Sequence, residues 1–284
     1  MMAELAFTDF NASLSHAQVA LYGIPFEGQV NLRKGAHLGP TEVRRASHFI
    51  ETYSPALRKD LEDLRLYDGG DLDLTGRTIA EVMDQVADQV AERVPLGVRP
   101  CFLGGDHTIT YPVLKALAPR RPELRVVQID AHPDLRAEFL GERYNYASAM
   151  ARVIEVIPPE HLFQLGLRTG AREEYAEPRR THCFPVAEVP FLEAVARTAE
   201  AVRGFPVYVT LDIDALDPAL APGTGSPEPV GLTVQELLAS IRAFAGAEVV
   251  GFDLVEVSPP FDPDGRTAIL AACIVRDCIL HWWA

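Results

Sequence analysis

A chain of 284 residues is long enough to bury a full core, and 48% apolar with 23% charged residues is ordinary for a soluble globular protein. Its formal net charge of −14 argues against nucleic acid and anionic membrane surfaces as partners; a cationic substrate is compatible with it, but so is solubility alone. The four cysteines, at 101, 183, 273 and 278, form neither a C-x-x-C pair nor a dense framework, which fits reduced thiols in a cytoplasmic protein. The N-terminus, with Glu4 and Asp9, lacks the basic segment and apolar core of a signal peptide, and no apolar run approaches the roughly 20 residues of a membrane span.

In chain order, the apolar pattern alternates between two periods. A strand is expected at 18–26, a helix at 41–50, a strand at 64–70 and a helix at 79–94. That helix is the clearest element, because Ile79, Val82, Met83, Val86, Val90 and Val94 share one face and Thr78 with Glu81 forms a capping box. A strand at 99–105, a helix at 110–118, a strand at 124–132, a helix at 144–157 and strands at 161–168 and 182–186 follow. A helix at 190–203, a strand at 206–214, a helix at 233–246, a strand at 248–257 and a helix at 266–281 complete the series. Alternation of this kind predicts an α/β fold with a mostly parallel sheet covered on both faces. With no linker-like shift in composition and no internal repeat, residues 1–284 read as one domain.

The segment VVQIDAHPDLR (126–136) poses the functional question. A core strand ends in Asp130, His132 and Asp134, spaced by two, so all three side chains leave an extended backbone on roughly one side. Carboxylates held that close repel and lose hydration, and either basic side chains or a cation must compensate. Open α/β sheets gather functional groups beyond the carboxyl ends of their strands. Two further strand ends carry the same signal, GGDHTIT with His107 and VTLDID with Asp212 and Asp214, and a fourth ends at Glu256.

Each motif has a plainer explanation. A histidine at a strand end is usually packed or hydrogen-bonded, and D-x-D caps loops. In the GGDH turn, Gly104 and Gly105 permit positive φ and Asp106 caps the next helix. Jointly, with Lys and Arg scarce in these motifs, His107, Asp130, His132, Asp134, Asp212 and Asp214 point to divalent metal. A carboxylate-rich, thiolate-free set prefers a hard ion, manganese above zinc. Six ligands are too many for one tetrahedral site and fit two ions about 3.5–4 Å apart, which generate hydroxide near neutral pH. Its target is an electron-poor sp² carbon or phosphorus, and spacing does not choose between them.

The blocks GGDHTIT, DAHPDLR and VTLDIDALDPALAPGTGSPEPVGLT resemble the signatures of the ureohydrolase family, the arginases and agmatinases. The likeness extends to GIPFEGQVNLRKGAHLGPTEVRRAS and GFDLVEVSPPFD, and so over nearly the whole chain. The resemblance implies a three-layer α/β/α sandwich around an eight-stranded parallel sheet, and two Mn²⁺ per subunit. One ion falls to His107, Asp130, Asp134 and Asp212, the other to His132, Asp130, Asp212 and Asp214, with Asp130 and Asp212 bridging. It also implies attack on a guanidinium carbon to release urea and an amine, with Glu256 holding the guanidinium and Asp134 in the catalytic set. Asn145 and Ser226 are expected at the substrate, Asp106 and Asp217 behind the ligands, and the subunits in a homo-trimer or homo-hexamer.

One position departs from the family. Where most members carry a pocket histidine assigned to proton transfer, this chain has Tyr146. A phenol, with an unperturbed pKa of about 10, is a poor shuttle at neutrality but still donates a hydrogen bond. The chain is then a natural variant with altered pH behaviour, an impaired form or a non-catalytic metal-binding homologue, or Tyr146 merely packs against the helix after it. The full ligand set favours retained hydrolysis and argues against the zinc deacetylase relatives of this fold. The loop LRAEFLGERYNY is closer to bacterial agmatinases than to arginases. Its Glu138 and Glu142 would favour an ammonium tail, unless they are a solvated face neutralised by Arg136 and Arg143. The expected substrate is agmatine or an agmatine-derived polyamine, giving a putrescine-type amine; arginine is the runner-up, then guanidinobutyrate.

Overall fold

Runs such as VYVTLD and VVQI are β-branched on both faces, and a strand of that kind needs cover on both sides. The computed structural model describes residues 5–29, 33–176 and 180–284. Its strands are β1 (Val19–Ile24), β2 (Tyr53–Ser54), β3 (Lys59–Asp60), β4 (Leu66–Asp71), β5 (Arg99–Gly104), β6 (Arg125–Ile129), β7 (Leu162–Leu165), β8 (His182–Phe184), β9 (Pro206–Asp212) and β10 (Glu248–Val255). Eight of them form one parallel sheet in the order β4-β1-β5-β10-β9-β6-β7-β8, while β2 and β3 pair separately as an antiparallel hairpin. The hairpin has only two residues per strand and went unseen in the sequence pattern.

The helices are α1 (Gly39–Ser47), α2 (Ile79–Arg93), α3 (Thr110–Leu117), α4 (Ala149–Val153), α5 (Phe191–Ala201), α6 (Val234–Ala243) and α7 (Arg266–Trp282). The strand period of two sorts the core. Val207, Val209 and Leu211 pack with residues of α1, α5, α6 and α7, whereas Tyr208 between them packs with α2, α3 and α4. Each fully buried side chain of this size contributes roughly 1.5–3 kcal/mol. Helix α2 starts as expected: Thr78 Oγ1 accepts from the Glu81 N–H (3.2 Å) and Glu81 Oε2 accepts from the Thr78 N–H (3.1 Å). The helix expected over 144–157 is shorter. Asn145 caps a 3-10 turn at Tyr146–Ser148, so regular α-helix begins only at Ala149.

The chain leaves β5, crosses through α3 and returns as β6, leaving a gap that β9 and β10 later fill. Four adjacent strands, β5, β10, β9 and β6, therefore end side by side. Their carboxyl ends lead into His107, Glu256, Asp212 and Asp214, and Asp130 with His132 and Asp134. Two residues before Asp130 and Asp212, the register aligns Asp253 with Thr210, Thr210 with Gln128, Gln128 with Gln164, and Gln164 with Cys183. A polar row in the middle of an apolar sheet thus underlies the strand ends.

Candidate metal centre

The GGDH turn is built by close approach. Neither Gly104 nor Gly105 has positive φ, contrary to expectation; a Cβ on Gly105 would lie 1.8 Å from the Phe26 carbonyl oxygen. Asp106 caps the turn as expected, Oδ1 accepting from the Thr108 N–H (3.0 Å), and its Oδ2 accepts from the Gly28 N–H (2.7 Å). This places His107, 1% exposed, with Nε2 against Thr210 Oγ1 at 2.9 Å. Its other nitrogen, Nδ1, lies 3.0, 3.2 and 3.2 Å from oxygens of Asp130, Asp134 and Asp212. Among the described residues that buried Nδ1 makes no hydrogen bond.

The carboxylates are anchored from behind. Asp130 Oδ1 accepts the His132 N–H (2.6 Å) and Oδ2 the Gln128 side-chain amide (2.6 Å). Asp212 Oδ1 accepts the Asp214 N–H (2.7 Å), and Asp214 Oδ1 the Ala131 N–H (3.2 Å). The remaining oxygens of Asp212 and Asp214 turn towards imidazoles, Asp212 towards His107 and Asp214 towards His132 Nδ1 at 3.1 Å. Two ligand-grade sets result: His107, Asp130 and Asp212, and Asp130, His132 and Asp214, with donor atoms within 4.8 Å of one another in each. Asp130 is common to both; Asp134 joins through its contact with His107.

Two ends of this site hold non-glycine residues in the left-handed region, Asp134 at φ 53° and Glu256 at φ 66°. That conformation costs on the order of 1–3 kcal/mol each and persists where surrounding contacts over-determine it. Glu256 shows how: its N–H donates to the Gly105 carbonyl (2.8 Å) and its Oε1 accepts the His107 N–H (2.9 Å). The second oxygen, Oε2, faces Gly225, where a Cβ would sit 3.1 Å away.

Electrostatics identify what the cluster lacks. Burial and neighbouring acids push Asp212 and Glu256 well above the carboxylate range, and burial with the Asp130 charge pushes Asp134 up to about 7. Burial would raise Asp130 too, but the adjacent His107 and His132 imidazoles hold it below its usual range. Those contacts raise both imidazoles despite the burial that opposes them. The site draws in positive charge, and a divalent cation would take the place of those protons. An orphaned Nδ1 aimed at three carboxylate oxygens, in a set with no thiolate, suits a hard ion.

The residues expected at the substrate are less uniform. Asn145 is 1% exposed and braces backbone: Oδ1 accepts the Ala147 N–H (3.1 Å) and Nδ2 donates to the Gln29 carbonyl (2.9 Å), which leaves it a structural tie between two loops. Ser226 is half-buried beside Gly225, on the loop facing Glu256. Half-buried Tyr146 sets its ring edge-on to Phe139 at 5.8 Å. The Asp217 oxygens accept from the Ala219 and Gly231 N–H groups (2.9 Å each) and close the base of the 217–231 loop. Arg136 and Arg143 do not neutralise Glu138 and Glu142; they pair with Glu174 (3.5 Å) and Glu155 (2.7 Å) instead. Glu138 is exposed, and Glu142 accepts the Tyr144 N–H (2.9 Å).

Several contributors were missed. Glu27 holds the loop after β1, accepting from the Gly35 and Ala36 N–H groups (2.6 and 2.9 Å) and pairing with His37. Arg168 ties the β9 loop through the Asp214 and Glu228 carbonyls (2.7 Å each). Gln128, polar within the apolar run VVQI, was the one readable signal.

Comparison with known proteins agrees with this geometry. The arginase family model matches residues 17–281. The agmatinase of Bacillus subtilis is 37% identical over 266 residues, covering 93% of this chain and 91% of that one. The guanidinobutyrase of Pseudomonas aeruginosa is 32% identical over 294 residues, covering 98% and 91%. Among solved structures, the agmatine ureohydrolase of Thermoplasma volcanium matches with a TM-score of 0.90 at 30% identity, covering 99% of this chain and 95% of that one.

Proposed function

Since the chain belongs to the arginase family and is a ureohydrolase, we propose that it hydrolyses the guanidino group of agmatine or an agmatine-derived polyamine to urea and a putrescine-type amine, with two manganese ions as cofactor. His107, Asp130, Asp134 and Asp212 would hold one ion, and His132, Asp130, Asp212 and Asp214 the other. When bound, such a pair lowers the pKa of a shared water so that hydroxide is available near neutral pH.

The protein's own groups do the rest. Glu256 is suited to take two parallel N–H bonds from the planar guanidinium, which fixes the carbon against the nucleophile. Because its Oε1 is anchored on the backbone of His107, the substrate clamp and a metal ligand move as one piece. Asp134, whose Oδ2 lies 3.2 Å from His107 Nδ1, would take the proton given up by the attacking water. Addition makes the carbon tetrahedral; the C–N bond to the alkylamine then breaks, and that nitrogen leaves after gaining a proton. Tyr146, whose ring lies against Phe139, would offer a phenolic hydrogen bond in place of an imidazole.

The observation that carries the reading is the orphaned, buried Nδ1 of His107 facing three carboxylate oxygens. Protein purified with Mn²⁺ is expected to hold two ions per chain and to release urea from agmatine or aminopropylagmatine in preference to arginine. Absence of urea from every guanidine, with two ions bound, would support a non-catalytic homologue instead.

A second reading has its own observation. Arg33, from the loop after β1, has its guanidinium 4.9 Å from the Phe261 ring and reaches the Pro222 and Thr224 carbonyls (3.5 and 3.4 Å), next to the Gly225 that faces Glu256. A cation at that rim favours a carboxylate tail, as in guanidinobutyrate, so the same panel includes guanidinobutyrate.

A further inference from the structure

The polar row beneath the site has a direction. Gln128 and Gln164 are both fully buried and are register partners on β6 and β7. At the outer end, Thr181 Oγ1 (2.9 Å) and Cys183 Sγ (3.0 Å) both donate to Gln164 Oε1. That fixes the Gln164 amide, whose Nε2 donates to Gln128 Oε1 (2.6 Å) and the Pro133 carbonyl (2.7 Å). Gln128 is fixed in turn, and its Nε2 donates to Asp130 Oδ2 (2.6 Å) and the His132 carbonyl (3.1 Å). Turning either amide over would set oxygen against oxygen, so every donor in the chain faces the site.

The consequence falls on Asp130, the carboxylate shared by both ligand sets. Each of its oxygens has one lone pair held by the protein, Oδ1 by the His132 N–H and Oδ2 by Gln128. Each has the other lone pair on a different imidazole's side, Oδ2 towards His107 (3.0 Å) and Oδ1 towards His132 (3.5 Å). A carboxylate free to rotate would chelate a single cation with both oxygens; one pinned at both cannot.

We propose that Gln128, oriented by Gln164, is a positioning residue that holds Asp130 in its bridging attitude, one oxygen for each cation. The inference rests on the two-ion reading above and names a device particular to this chain's own side chains. Loss of the Gln128 donor releases Oδ2 while the His132 N–H still holds Oδ1. The ion on the His107 side is therefore the one weakened, as partners behind a ligand typically contribute 10–100-fold in affinity, roughly.

Mn²⁺ alone, titrated by calorimetry into metal-stripped full-length protein, tests this. The variants are Gln128→Met and the double variant Gln128→Met/Gln164→Met, in which both amides become apolar and neither glutamine is left facing the loss of the other. The expected result is two ions in the wild type and, in both variants, one ion weakened about 10–100-fold. The spin-coupled manganese resonance should fade, and the metal-free melting temperature should stay near that of the wild type. Variants that bind both ions as tightly as the wild type and keep the coupled resonance overturn the proposal. So does equal weakening of both ions with a lowered metal-free melting temperature, which is general loosening. A wild type that takes up no pair of ions fails earlier and sinks the two-ion reading itself.

Discussion

The strand-end carboxylates and the loop over 135–148 adjoin in the chain but are held in opposite ways. At the strand ends, Asp130, Asp212 and Asp214 each have an oxygen fixed by a backbone N–H at 2.6 to 3.2 Å. In the loop, buried Asn145 braces the backbone from within, but the outer side chains meet rings and surface ion pairs: Arg136 over Phe139 at 4.8 Å, Phe139 against Tyr146 at 5.8 Å, and Arg143 on exposed Glu155. Aromatic edges and surface pairs each contribute on the order of 1 kcal/mol or less and tolerate exchange. Under the proposed function, the reaction would sit on the fixed frame and the choice of substrate would fall to the pliable loop. Substitutions in the first should abolish turnover, and those in the second should shift it.

The sharpest way to break this contrast is Asp130→Ala. Removing the carboxylate common to both ligand sets should bring the Mn²⁺ count below two per chain by elemental analysis. Metal-assisted charge stabilisation amounts to several kcal/mol, so kcat/KM should fall by about a thousandfold or more. An Asp130→Ala protein with two ions and near-normal urea release would end the argument. Next in size is Glu256→Gln. The amide oxygen can still accept the His107 N–H, so the ion count should hold at two. One charge-assisted contact to the guanidinium is lost, and kcat/KM should drop about 10–100-fold. A changed metal count with unchanged kinetics would place Glu256 in the frame rather than at the substrate.

How much of this was legible follows the same division. All eight strands of the main sheet and the clustered His and Asp side chains could be read because strand period and strand-end chemistry are local: Val127, Ile129 and Asp130 announce both a buried strand and its polar end. What brings them together is the insertion of β9 and β10 between β5 and β6, a pairing no local pattern encodes. The failures were of long-range partner. Asn145 reads as a pocket residue until the Gln29 carbonyl is seen across the fold, and Arg143 reads as a neighbour of Glu142 until Glu155 is seen on the adjoining turn. Gly105 was matched to the right turn for the wrong reason, since the Phe26 carbonyl that excludes a side chain lies on a different strand's loop.

Tyr146 probes the border between the two regions. Tyr146→His restores a group that titrates near neutrality, so kcat at neutral pH should rise by up to about 100-fold. As a proton donor the imidazole works only while protonated. The gain should therefore be largest in mild acid and shrink as pH rises past about 6.5. A Tyr146→Phe variant should differ from the wild type by no more than a lost hydrogen bond, about 1 kcal/mol or fivefold. A flat pH profile for Tyr146→His, measured from pH 6 to pH 9, would show that this ring packs on Phe139 and takes no part in proton transfer.

The smallest expected effect is at Glu138. It is exposed, and the arginine beside it in sequence, Arg136, is directed instead at Glu174 and the Phe139 ring. A solvated carboxylate attracting an ammonium through water gains only about 0.2–1 kcal/mol at best. Glu138→Gln should thus raise KM for agmatine by less than about fivefold, and 0.5 M salt should mask even that, because screening acts over a few ångströms at such strength. A larger, salt-resistant rise would mean that the loop folds over the substrate and brings Glu138 into direct contact with its tail. The pliable region would then be ordered by the substrate, and the contrast with the strand-end frame would hold only for the free enzyme.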